Sequence, residues 1–271
     1  MKNLLHNTKH YEKYPKMDFI IDKIHKNDFF TFSKISVEWW QMFCGALDNL
    51  NINLKNIQLI ESKKIATQMV KVWGKQRRSR PWGVSIEAFK GVIDFITKEC
   101  PENFIVGITD RTPGKQFFER PIYPDSHRGR QKHIIEVIKQ IIPEQNNLYD
   151  AMCWKYWGSS GELERMIRYT NNHNIKIVLV GPEELKDFGK VCGVKNYSYL
   201  NIHSTEAALH IRKYKRMIKE FDKNTSGKKI YMMQGGSSVM WLCVKLHNKL
   251  KNSFMFDVGK GLNMYMRKLQ K

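Results

Sequence analysis

Three carboxylates in this chain, Glu38, Asp110 and Asp257, each stand at or just past the end of a short apolar run, and another run, 230–233, leads into Gly235-Gly236-Ser237-Ser238. If those runs are buried strands, all four features fall on the carboxyl edge of a sheet, where open α/β folds bind their ligands. A carboxylate there can hold a metal–diphosphate or act as a base. The glycine pair lets the backbone turn sharply and leaves room for a ligand to approach. Ser237 or Ser238 can cap the helix that follows, and a helix start with free N–H groups suits a diphosphate. Two ordinary readings stand beside these. Gly-Gly-Ser-Ser is not a complete phosphate fingerprint and also fits a ligand-free strand–turn–helix unit. Glu38 also fits a first-turn acid that complements a helix dipole.

A second group is basic and aromatic. Arg77, Arg78 and Arg80 crowd one polar turn before Trp82, and Arg111, Lys115, Arg120, Arg128 and Arg130 load a long loop that also carries Phe117 and Tyr123. Neither segment has core periodicity. Arginines beside aromatics suit phosphate contact with base stacking, so these nine residues are the candidate nucleic-acid contacts; a solvated charge run is the plainer reading. Trp154-Lys-Tyr-Trp157 before Gly-Ser-Ser-Gly reads equally as a stacking platform or as core. His203 reads as structural.

The elements that must position these groups follow from periodicity. Helical spacing covers 17–24, 37–50, 62–73, 85–100, 131–142, 162–173, 183–191 and 205–221; apolar runs at 29–35, 104–110, 175–181, 197–202, 230–233 and 253–257 read as strands. Residues 148–157 read as strand then loop, and 111–130 as a long loop rich in proline and glycine. Alternating strands and helices predict an α/β, Rossmann-like, mostly parallel sheet with helices on both faces. Residues 1–16 read as a flexible basic arm, and 17–271 as a single α/β domain with sub-halves 17–150 and 151–271.

Composition narrows the partners. A hydrophobic fraction of 42% supports a core, and 46 Lys+Arg against 26 Asp+Glu give a net charge of +20. That field attracts polyanions, whether nucleic acid, an anionic membrane or a phosphorylated substrate. Five scattered cysteines, with no Cys-x-x-Cys or zinc spacing, point to buried thiols in a reducing cytosol. No signal peptide and no membrane-length apolar run are visible, so the expectation is a cytoplasmic protein, not secreted.

The order of motifs resembles the GT-D-fold glycosyltransferases. Phe30-Thr-Phe-Ser-Lys-Ile-Ser-Val-Glu-Trp-Trp is similar to that family's opening strand and Arg-x-Gly-Asp-Gly-Glu pattern, Phe104–Asp110 to its second strand, Ile177-Val-Leu-Val-Gly-Pro to its valine-rich strand, and Gly235-Gly-Ser-Ser through Phe256-Asp-Val-Gly to its terminal unit. The resemblance spans roughly 28–262. It implies a nucleotide-sugar donor, UDP-linked, with the diphosphate held by Lys34, Ser36, Gly235, Gly236, Ser237 and Ser238. Glu38, Asp110 and Asp257 would be the catalytic carboxylates. Ser36 stands where the family has an Asp, and Val37 where it has a Gly. A hydroxyl is a poor divalent ligand. The manganese or magnesium the family implies is therefore left to Glu38, with Lys34 as a cationic substitute. From the charge, the expected acceptor is DNA bearing a hydroxymethylated base, as in viral DNA-modifying enzymes; a glycan or lipid-linked acceptor is the alternative. The rival of another class is a non-catalytic nucleic-acid-binding protein on a decayed transferase scaffold.

Overall fold

The computed structural model describes residues 17–35, 37–53, 57, 59–76, 85–108, 137, 141, 148–150, 153–203 and 207–270. Its centre is a seven-stranded sheet: β1 (Thr31–Lys34), β2 (Phe104–Ile108), β3 (Leu148–Asp150), β4 (Lys176–Gly181), β5 (Tyr197–Asn201), β6 (Lys229–Met233) and β7 (Ser253–Asp257). They lie in the order β3-β2-β1-β7-β6-β4-β5. Every pair is parallel. Parallel strands need crossovers and so carry helices on both faces, which is why the central strands read as unbroken apolar runs.

Side chains alternate between two cores. Val178, Val180, Tyr231, Met233 and Met255 point to one. It is covered by α2 (Val37–Asn49), α3 (Ser62–Gln76), α4 (Ile86–Asp94), α8 (Ile211–Lys223) and α9 (Ser237–Leu246). Phe32, Leu179, Met232, Phe254 and Phe256 point to the other, under α1 (Met17–His25), α5 (Cys153–Ser160), α6 (Glu162–Asn172), the short α7 (Phe188–Val191) and α10 (Gly261–Leu269).

Several expectations change. Residues 153–160 form α5, not a loop, and Trp154 and Trp157 are each 1% exposed, so they are core and not a stacking platform. The polar Gly-Ser-Ser tail hides the helical spacing of Cys153, Trp154 and Trp157, all buried on one side. α10 has no counterpart in the expected elements. It docks because two glycines allow backbone contact: a Cβ on Gly158 would fall 2.3 Å from the Gly261 carbonyl oxygen, and one on Gly261 would fall 2.5 Å from the Trp154 carbonyl oxygen. The expected helix over 85–100 closes with a π turn, Phe95–Glu99. That over 183–191 divides into a 3-10 turn, Glu183–Leu185, and α7. The helix expected over 205–221 opens with a 3-10 turn, Ala207–His210, before α8. Among the described residues no helix is long and apolar enough to cross a membrane.

The amino edge of the sheet is held by a buried histidine. His247 Nδ1 lies 2.8 Å from Thr31 Oγ1, and its Nε2 lies 3.1 Å from Asn103 Oδ1. The carboxamide oxygen needs a donor, so Nε2 carries the proton and Nδ1 accepts from the threonine. The ring meets Phe95 and Phe104 edge-on. Burial pushes its pKa down from 6.5 to about 4. The unfolded chain therefore binds this proton first, and stability from His247 is lost as pH falls from 6.5 toward 4. Denaturant unfolding at pH 7 and pH 4.5 should show a loss of about 2 kcal/mol that a His247→Gln chain lacks.

Candidate active site

The site is assembled where three neighbouring strands end. Register places Met233 of β6 beside Asp257 of β7, and Phe32 of β1 beside Phe256. Neighbouring strands lie about 4.8 Å apart, so Lys34, Asp257 and the turn after Met233 line one stretch of the carboxyl edge. The strands of α/β sheets end at this edge in polar or glycine residues because the covering helices begin there.

Asp257 is the centre of this arrangement. It is 5% exposed. Its Oδ2 accepts the Lys34 N–H at 3.3 Å, and its Oδ1 accepts the Gly259 N–H at 3.3 Å. Burial pushes its pKa up from 3.8 to about 7, against the opposing pull of the Lys34 charge and the two N–H bonds. A carboxyl so placed changes its charge close to neutral pH. Gly259, at φ 50°, turns the chain next to Lys34: a Cβ there would lie 3.7 Å from Lys34 Nζ.

The glycine turn is built for close approach. Gly236 is exposed, with φ 61° and ψ −144°, and forms the N-cap of α9. This corrects the expectation that Ser237 or Ser238 caps that helix: the cap residue is glycine, with no side-chain cap hydrogen bond. Only glycine takes this conformation without strain. The first intrahelical bond runs from Val239 N–H to the Gly236 carbonyl at 3.2 Å, so the N–H groups before it face the edge. Ser238 is buried. Gly235 leaves space for Ile202, whose Cδ1 would lie 2.6 Å from an added Cβ. Gly236→Ala should cost about 1–3 kcal/mol in strain and weaken anion binding at the turn, read by thermal unfolding with and without nucleoside diphosphate.

One residue at the edge carried no signal in the sequence. Gln234 follows Met233 and is 8% exposed, and among the described residues its Oε1 has no hydrogen-bond partner. It lies beside Gly181, where β4 ends and the strand order reverses between β4 and β6. A glutamine after an apolar run looks like an ordinary strand end until its neighbours are known.

Glu38 falls in the first turn of α2; its side chain, Ser36 and Asp110 lie outside the described residues. So do Arg77, Arg78, Arg80, Trp82, Arg111, Lys115, Arg120, Arg128 and Arg130. Among the described residues no three acidic, histidine or cysteine side chains gather as a metal site. The described donors at the edge do not fit a divalent ion either. Asp257 is one carboxylate with both oxygens engaged by N–H groups, and a lysine stands beside it.

No protein-family model matches this chain, and no curated protein matches its sequence. Solved structures do match in fold. A glycosyltransferase (DUF1792) from Streptococcus sanguinis superposes with a TM-score of 0.58 at 13% identity, over 93% of this chain and 82% of that one. A selenomethionine-substituted structure of domain of unknown function 1792 follows, with a TM-score of 0.49 at 10% identity, over 92% of this chain and 84% of that one. The chain thus has a Rossmann-like α/β fold like that of a GT-D-type glycosyltransferase.

Proposed function

We propose that this protein is a glycosyltransferase that uses a nucleotide-sugar donor, UDP-linked. The observation that carries this reading is the meeting of Lys34, Asp257 and the Gly235–Gly236 turn on one edge of a sheet whose fold matches a glycosyltransferase. Glycosyl transfer requires an acceptor hydroxyl that gives up its proton and a diphosphate that leaves with added charge. The N–H groups at the start of α9, with the positive end of that helix, would take the diphosphate. Lys34 would offset its charge as the bond to the sugar breaks. Glu38, in the first turn of α2, is the base we assign to the acceptor hydroxyl, with Asp110 in support. Asp257 is enclosed, so we assign it a positioning role: it holds the Lys34 backbone and the Gly259 turn and sets the field in which Lys34 acts. No step is routed through a metal, because the described donors do not suit one.

For the acceptor, the charge of +20 supports a polyanion, and DNA bearing a hydroxymethylated base is the first to test. A lipid-linked acceptor is the second reading. It is favoured by Leu209 and Ile86, 65% and 39% exposed, which head the helices flanking α9 at the same edge. Donor binding should be measured by calorimetry over a panel of nucleotide-sugars, followed by mass spectrometry of digested 5-hydroxymethylcytosine DNA and of lipid extracts. A hexose-sized mass gain on either acceptor, lost in Glu38→Gln, is the expected result. A chain that neither binds nor hydrolyses any donor, with or without manganese, would sink the reading in favour of a non-catalytic binder.

A further inference from the structure

The outer face of α8 is a cation track that the donor site does not use. Arg212, Arg216, Lys219 and Lys223 are all exposed and recur at intervals of four, three and four residues. Side chains at those spacings follow one another along a helix, about 5–6 Å apart. The row is about 16 Å long, at 1.5 Å per residue. Leu209, in the 3-10 turn just ahead, continues the same row by three residues and is 65% exposed. The buried side of α8, formed by Ile211, Tyr214 and Ile218, packs on the protein core, so the row faces outward.

Several exposed cations elsewhere are paired. Arg165 pairs with Asp18 and Glu162, Arg168 with Glu164, and Lys90 and Lys98 with Asp94. α6 carries two cations and two acids. α8 carries six cations against Glu220 and Asp222, and Asp222 is buried. Among the described residues, only Arg212 of the row has an acidic partner, Glu87 on α4, at 2.8 Å. Among the described residues, Arg216, Lys219 and Lys223 form no ion pair. Glu220 lies on the flank of the row and bonds to none of them.

We infer that this face docks on an anionic lipid surface, with Leu209 entering the headgroup layer and the four cations lying on lipid phosphates. Both parts of the row fit that partner. Basic side chains near a charged leaflet each add attraction, and an exposed leucine in line with them gains by leaving water. A nucleic-acid backbone accounts for the cations and leaves the leucine without a role. α4, α8 and α9 all begin at the carboxyl edge, so a docked α8 would hold the candidate site next to the bilayer. The inference does not depend on the donor or on the reaction.

The test uses the full chain and sedimentation with vesicles of phosphatidylcholine alone or of equal parts phosphatidylcholine and phosphatidylglycerol, with a mixed-sequence DNA duplex measured alongside. Binding to the anionic vesicles and not the neutral ones is expected. Reversing Arg216, Lys219 and Lys223 to Glu should weaken it by about a hundredfold or more. Leu209→Ser should weaken it by about tenfold. All four positions are exposed, and unchanged thermal unfolding confirms that the variants fold. Absence of vesicle binding, or binding that the triple reversal leaves intact, would overturn the inference. A Leu209→Ser chain that binds as tightly as the parent would overturn it in favour of a general polyanion, as would DNA binding without vesicle binding.

Discussion

Asp257→Asn should lower sugar transfer by about a hundredfold while making the protein more stable at pH 8. The two effects have one cause. Burial raises the Asp257 pKa from 3.8 to about 7, so the folded protein binds this proton more tightly than the unfolded chain. Stability from the group is fully present below pH 3.8 and is lost as pH rises through 7. Above 7 the fold holds an ionised carboxylate with little water around it. Asparagine keeps one acceptor for the Lys34 or Gly259 N–H and removes the charge. A gain of about 2 kcal/mol at pH 8 is expected, below the full value of the shift because one acceptor and the Lys34 attraction are lost. The gain should shrink as pH falls toward 5, where the native carboxyl is already protonated. Transfer by the parent should rise through pH 7 as Asp257 ionises, and the variant should lack that limb. A variant with unaltered pH dependence of transfer would remove Asp257 from the mechanism and leave it a purely structural group.

The largest loss of stability should come from the opposite edge. Lys229 and Asp222 form a buried pair, with Nζ 3.0 Å from Oδ1 and side-chain exposures of 2% and 5%. Asp222 also accepts from the Tyr231 hydroxyl at 3.0 Å, the Lys251 N–H at 3.0 Å and the Ser253 hydroxyl at 3.3 Å. Burial of the ring, reinforced by the Asp222 charge, holds the Tyr231 phenol protonated. Lys229 has one further partner, the Thr225 carbonyl at 2.8 Å. The pair is therefore uneven. Asp222→Ala strands an ammonium with a single acceptor and leaves the Tyr231 hydroxyl and the Lys251 N–H unmet, so it should cost about 3–5 kcal/mol. Lys229→Met leaves the carboxylate three donors and should cost distinctly less. Adding Lys229→Met to Asp222→Ala should restore part of the loss, since the stranded charge goes. Urea unfolding of the two single variants and the double variant reads this directly. Equal costs for the two single variants would show that the network is not organised around Asp222.

Much of the sheet could be read from the chain before its shape was known. Runs such as Ile177–Val180 and Ile230–Met233 are apolar at every position because helices cover both faces of a parallel sheet. The same constraint marks where such runs stop. Buried strands end where the chain returns to water or a ligand, so Asp257 and Gly235–Gly236 stood out as edge residues. α5 and α10 were not legible, because their contact depends on the bare backbone of Gly158 and Gly261, about a hundred residues apart. Glycines in a polar stretch look like loop.

What the sequence determined by itself is the class of fold and the candidate chemistry of its strand ends, because alternation and glycine turns are local properties. Strand order was decided only in three dimensions. Lys34 and Asp257 are 223 residues apart, and nothing near either position says that β1 lies against β7. That neighbourhood encloses the carboxylate and draws its pKa to about 7. The orphaned Gln234 oxygen arises in the same way. Burial depends on which elements pack together, and packing sums over contacts that the local pattern does not contain.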